Sequence, residues 1–196
     1  MDQKQLETTY VITQEMVNEL TDYVMKGELY RQLIVKTPTG TKQPKMTLGA
    51  LLENMQVLDW QRAHLSAAQQ SQLAAMQDRM VIVHNSLPSE WNALLRHELK
   101  SLLDSWKWYL EDVRSDPDAR ENYGNEAHIR TRIDIVQAAL ADDPQTAEDR
   151  QALGKLDTQL RMLLRGGKYV GPAGQEGRYP SSNAWWLHGQ PVGGDD

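Results

Sequence analysis

The sequence predicts an all-α protein: an antiparallel bundle of five or six helices, a short extended excursion near 30–46, and an extended C-terminal arm. Three observations carry this expectation. Apolar residues recur every three or four positions over most of 1–165. Capping residues and prolines punctuate those periodic stretches. The run Leu33-Ile34-Val35 is the one notable β-branched stretch, and it is followed by Pro38, Gly40 and Pro44. Residues 1–165 therefore read as a helical bundle domain, and 166–196 as a Gly/Pro-rich aromatic arm.

The first helix is expected to start at Thr13, with Met16, Leu20, Tyr23 and Val24 on its apolar side and Gly27 weakening its end. The excursion follows. Thr47 then caps a helix through about Arg62, with Leu48, Leu51, Leu52, Met55 and Leu58 inward. Ser66 starts another, in which Leu73, Met76, Met80, Val83 and Leu87 sit at spacings of three and four. Pro88 ends it and opens the longest periodic stretch, Ser89–Arg114.

In that stretch Trp91, Leu95, Leu99, Leu102, Trp106, Leu110 and Val113 form one buried stripe. Glu90, His97, Asp104 and Glu111 recur every seventh residue on the opposite face. Trp108 projects beside this polar row, at about 100° per residue, and so needs a cover of its own. Ser115-Asp116-Pro117 is a boundary. A helix through Ala141 follows, with a break near Tyr123-Gly124-Asn125 and Asn125 as the new cap. Asp142-Asp143-Pro144 closes it, Thr146 or Ala147 opens the last helix, and Gly166-Gly167 stop that one.

The chain has 196 residues with no Cys and no Phe. Length alone suffices for a core without disulfides or metals. The lack of Cys removes disulfides, thiolate metal sites and Cys nucleophiles, and fits a cytoplasmic location. No apolar run approaches the length of a membrane span, and the first ten residues do not pattern as a secretory signal. The formal net charge of −6 argues against general affinity for nucleic acid or anionic membranes. From Glu90 to Arg150 there are fourteen acids against eight Lys or Arg. Two stretches run the other way: Arg31, Lys36, Lys42 and Lys45 with no acid among them, and Arg161, Arg165, Lys168 and Arg178 against Glu176 alone.

Chemistry-bearing motifs are weak. Members of the row Glu90, His97, Asp104, Glu111 stand about 10.5 Å apart along the axis, too far for all to bind one ion. Paired Glu-x-x-His motifs of bundle metal sites do not occur, so the row reads as a solvated face, and no metal or cofactor is expected. Glu126 and Arg130 are spaced for an intrahelical pair, which weakens a catalytic reading of His128. The segments around Gly40 and Gly166-Gly167-Lys168 lack the strand–loop–helix context of phosphate loops. They read as a turn and a helix stop.

The aromatic arm is the better candidate. Trp185 and Trp186, with Tyr169 and Tyr179, are expected either to anchor a partner or to dock on the chain's own bundle against Trp108. The leading expectation is a non-catalytic cytoplasmic interaction or assembly protein, a homo-oligomer or the binder of a protein partner. Its interaction residues would be Trp108, Tyr169, Tyr179, Trp185 and Trp186. Its anion-binding candidates are Arg31, Lys36, Lys42, Lys45, Arg165, Lys168 and Arg178. One alternative is a bundle enzyme or ligand-binding protein using His97, Asp104, Glu111 and His128 between helices. The other is a nucleic-acid accessory protein using the basic loops, which the net acidity disfavours.

Overall fold

The computed structural model describes residues 2–192. It is mostly helical, and the chain divides into two compact units, Met1–Glu98 and Leu99–Asp196.

The first unit opens with α1 (Gln3–Lys26), ten residues earlier than Thr13 suggests. The start is a capping box: the Gln5 backbone N–H donates to Asp2 Oδ1 at 2.8 Å, and the Asp2 N–H donates to Gln5 Oε1 at 3.4 Å. Thr13 lies inside the helix, where its hydroxyl donates to the Thr9 carbonyl at 2.7 Å. The helix ends at Gly27, whose φ of 65° turns the chain while its N–H donates to the carbonyls of Tyr23 and Val24.

The excursion is a two-tier hairpin. Strands β1 (Arg31–Gln32) and β4 (Lys45–Met46) pair antiparallel, Arg31 opposite Met46. Beyond them β2 (Val35–Thr37) pairs with β3 (Gly40–Lys42), Val35 opposite Lys42. Leu33, Val35 and Met46 are buried, whereas Gln32, Ile34 and Lys36 face solvent, the alternation expected of strands with one face on a core.

Helix α2 (Leu48–Trp60) begins at the expected cap, Thr47, whose Oγ1 accepts from the Ala50 N–H at 3.0 Å. A buried carboxylate completes that end. Glu98 accepts the Thr47 hydroxyl at 2.6 Å and the Gly49 N–H at 2.8 Å, placing negative charge at a helix N-terminus. Helix α3 (Ala67–Ser86) starts with a Ser66–Gln69 capping box and passes through Leu87 into α4 (Pro88–Ser115). The boundary between the two units falls inside α4.

In the second unit α5 (Pro117–Glu121) is capped by Asp116, whose carboxylate accepts the Asp118 N–H at 2.9 Å. The expected break comes at Asn122 rather than Asn125, and α6 (Tyr123–Ala139) follows. Asn125 sits one turn inside α6 and donates its amide to Asn122 Oδ1 at 2.6 Å. Thr146 precedes α7 (Ala147–Leu163).

Gly166 and Gly167 do not stop α7. It ends at Leu163, and both glycines lie in β5 (Leu164–Tyr169), which pairs antiparallel with β6 (His188–Pro191). The register steps from Gly166 opposite Gly189 to Tyr169 opposite His188, so the strand bulges at Gly167 and Lys168. Gly189 has a φ of 155°, and a Cβ there would stand 2.3 Å from the Arg165 carbonyl oxygen. Between the strands, the arm lays Trp185–Leu187 against α6.

Candidate functional site

Trp186 anchors the arm. It is 2% exposed, and its indole Nε1–H donates to Thr131 Oγ1 at 3.0 Å. From the same helix the Tyr123 hydroxyl donates to the Trp186 carbonyl at 2.6 Å, and burial pushes that phenol well above its ordinary range. The Arg130 guanidinium lies 4.1 Å from the indole centroid. It is held there by Asp157 of α7, which accepts from Nε at 2.8 Å and from Nη2 at 2.9 Å in a two-pronged pair. Thr131 of α6 supplies the indole's acceptor. Every polar group that the indole and its carbonyl bring inside is therefore paired.

The other arm aromatics also find partners within this unit. Trp185 meets Trp186 edge-on at 6.0 Å and carries Arg161 over its face at 3.7 Å. Tyr169 packs against the His188 ring at 5.4 Å, and burial pushes its hydroxyl up to about 12. His188 Nε2 lies 2.7 Å from the Tyr179 carbonyl; a carbonyl can only accept, so Nε2 carries the proton. Arg178 lies over Tyr179 at 4.7 Å.

Trp108 does not receive the cover expected from this arm. It is 64% exposed, while Trp106, two residues before it, is fully buried in a cluster with Tyr109 and Tyr123. The arm runs to α6 instead, where Thr131 offers an acceptor for the indole and Tyr123 a donor for its carbonyl. The polar row beside Trp108 offers no comparable seat.

Of the seven anion-binding candidates, four lie in the first unit and three in the second. Arg31 is already neutralised. Its Nη1 is 2.9 Å from both Glu19 and Asp22, its Nε is 3.4 Å from Glu28, and its side chain is only 13% exposed. Hydrogen bonding from Lys26, reinforced by Arg31, holds the Asp22 carboxyl below its usual range. Lys36 and Lys42 are exposed on the hairpin, and Lys45 lies 5.1 Å over the Tyr30 ring. Arg178 is half-buried, with Nη1 donating to Gln175 Oε1 at 3.1 Å. Arg165 and Lys168 are brought together at one cavity of about 300 Å³ in the β5–β6 bulge.

Glu90, His97, Asp104 and Glu111 are all exposed, and Lys107 approaches Glu111 at 4.0 Å. His128 is exposed too, with Nδ1 against the Asn125 carbonyl. Among the described residues no group of three His, Asp or Glu is placed to hold a metal ion. Two further clefts are present. One of about 360 Å³ between α1 and α3 is lined by Gln14, Asn18, Gln72 and Arg79. One of about 280 Å³ between α4 and α7 has Leu103 and Leu156 among its walls, with Asp104, Lys107, Glu148 and Lys155. Asp149, at the start of α7, has its carboxyl pushed up by burial. No helix among the described residues is long and apolar enough to cross a membrane.

Two residues that matter most escape the sequence pattern. Glu98 looks like one more polar position on α4, and Thr131 like one more on α6; their roles come from contacts across 49 and 55 positions. Comparison with protein-family models, curated proteins and solved structures found no match to this chain.

Proposed function

We propose that this protein is a non-catalytic helical assembly module that associates with further copies of itself through apolar side chains left on its helices and hairpin. We place its work in the cytoplasm, in keeping with a chain that has no Cys. The supporting observation is Trp108. An indole left 64% exposed gives up much of the stabilisation that its neighbour Trp106 gains from burial. Large aromatic side chains of this kind dominate protein interfaces. Ile34 and Tyr30, 73% and 55% exposed on the hairpin, are further apolar surface of the same character. The aromatic arm, by contrast, is the internal lock of the second unit and not the binding element.

Sedimentation velocity over a concentration series tests this reading. The parent chain is expected to associate, and Trp108→Ser to remain monomeric, with the parent's unfolding midpoint in dilute protein where both are monomeric. A parent chain that stays monomeric throughout, or a Trp108→Ser variant that associates as the parent does, contradicts it.

A further inference from the structure

We infer that the cleft at the β5–β6 bulge binds the phosphate group of a small phosphorylated molecule. The cleft is lined by two cations, Arg165 and Lys168, and by the Gln190 amide. Among the described residues no carboxylate lines it. This separates it from the environment of Arg31, where three carboxylates surround one guanidinium.

The backbone is suited to close approach by an anion. Gly167 and Lys168 have no partner residue across the ladder, because the register steps past them. Neither Gly166 nor Gly167 has a positive φ. A Cβ on Gly166 would meet nothing within 4 Å, and one on Gly167 would make only ordinary contact, at 3.7 Å. The fold therefore does not require glycine at either position, yet both glycines line the cleft. Glycine there removes the side chain that would keep an anion away from the peptide groups.

The cations are disposed for the task. Arg165 Nη1 donates to the Met162 carbonyl at 2.9 Å, which ties the guanidinium to the end of α7 and leaves Nε and Nη2 as donors for a ligand. Lys168 is exposed on the bulge, three residues further on. A phosphate dianion gains from both charges, where a single carboxylate brings one charge. The volume of about 300 Å³ exceeds that of an inorganic phosphate, and Val170 and Val192 supply apolar wall for an organic substituent. A phosphate ester fits this combination. The inference is independent of the assembly role, since Trp108 does not line this cleft.

The test is a titration of the full chain, followed by amide resonances, with phenyl phosphate and with inorganic phosphate as probes. Saturable shifts are expected at Gly166, Gly167 and Lys168, with phenyl phosphate binding several-fold more tightly. Lys168→Gln and Arg165→Gln are each expected to weaken phenyl phosphate about ten-fold. Gly167→Ala is expected to weaken it as well while leaving the rest of the spectrum unchanged. Arg165 also bonds the α7 end, so Lys168→Gln decides the matter if Arg165→Gln disturbs the hairpin. The inference is overturned by any of three results: no saturable shift up to about 10 mM probe, equal shifts at Lys36 and Lys42, or unchanged affinity in a folded Lys168→Gln variant.

Discussion

The two extended segments, Arg31–Met46 and Leu164–Pro191, both carry clustered basic residues and are fastened in opposite ways. Each is built of short antiparallel strands carrying basic residues and set against helices, two strand pairs in the first and one in the second. The first is held by aliphatic side chains, Leu33, Val35 and Met46, and its guanidinium at Arg31 is surrounded by the carboxylates of Glu19, Asp22 and Glu28. The second is held by an indole, Trp186, whose cation partner Arg130 comes from a helix, leaving Arg165 and Lys168 of the strand at a cleft. Arg31 is thus consumed by the fold, whereas Arg165 and Lys168 line a cleft. The difference lies in neighbouring carboxylates, not in the composition of the segments.

Substitutions sharpen this contrast, and the largest effect belongs to the indole. Trp186→Ala removes a buried anchor with its hydrogen bond and is expected to cost about 4 kcal/mol in denaturant unfolding. Asp157→Ala is expected to cost about 2 kcal/mol, because it leaves the buried Arg130 under the indole with only the longer 3.6 Å contact to Asp134. Arg31→Ala should cost only about 1 kcal/mol, since its partners are largely solvated and remain so when it is gone. Trp108→Ala should change stability by less than about 0.5 kcal/mol. Equal costs for Trp186→Ala and Trp108→Ala would break the contrast between the two indoles.

Alkaline pH acts on both units through buried phenols. The Tyr23 hydroxyl donates to the Leu29 carbonyl at 2.8 Å, and that of Tyr109 to the Ala119 carbonyl at 2.7 Å. Burial first of all pushes these phenols, Tyr123 and Tyr169 upward. An unfolded tyrosine ionises near about pH 10. The folded groups remain protonated there, so their contribution is fully present below that pH and is lost as pH rises through the folded values, about 12 for Tyr169. Melting temperature is expected to fall above pH 10, with tyrosinate absorbance from the buried phenols appearing together with unfolding. Full ionisation of all seven tyrosines in a still-folded protein would contradict this burial.

Local signals proved legible where the chemistry is local. Thr47 and Ser66 cap the helices their spacing announces, because a cap depends on residues within one turn. Asp2-Gln-Lys-Gln5 carries the same kind of signal at the start of α1, and the acidic turn after Thr13 masks it. The break falls beside the expected Tyr123-Gly124-Asn125, but the residue at the N-terminus of α6 is Asn122, three before the expected cap Asn125. What could not be read is long-range. That the arm docks is suggested by its aromatics, but its seat at Tyr123, Arg130 and Thr131 has no signature in a run of ordinary helix residues. The fate of Arg31 depends on the chain reversing at Gly27, which brings Glu19 and Asp22 of α1 back alongside the strand. Glu98 has the spacing of the buried stripe, seven after Trp91 and three after Leu95, but its polar identity hides this. Its partners at the N-terminus of α2 are distant in sequence.

The central claim is that the arm's indole belongs to the interior of its own unit while Trp108 stays uncovered. Hydrogen exchange of the indole N–H groups in dilute protein tests it most directly, with resonances assigned from Trp108→Phe and Trp186→Phe variants. The Trp186 indole, bonded to Thr131, should be strongly protected, and the Trp108 indole should exchange at nearly the rate of a free side chain. Exchange of the two at the same fast rate, or protection at Trp108 with none at Trp186, would contradict the account.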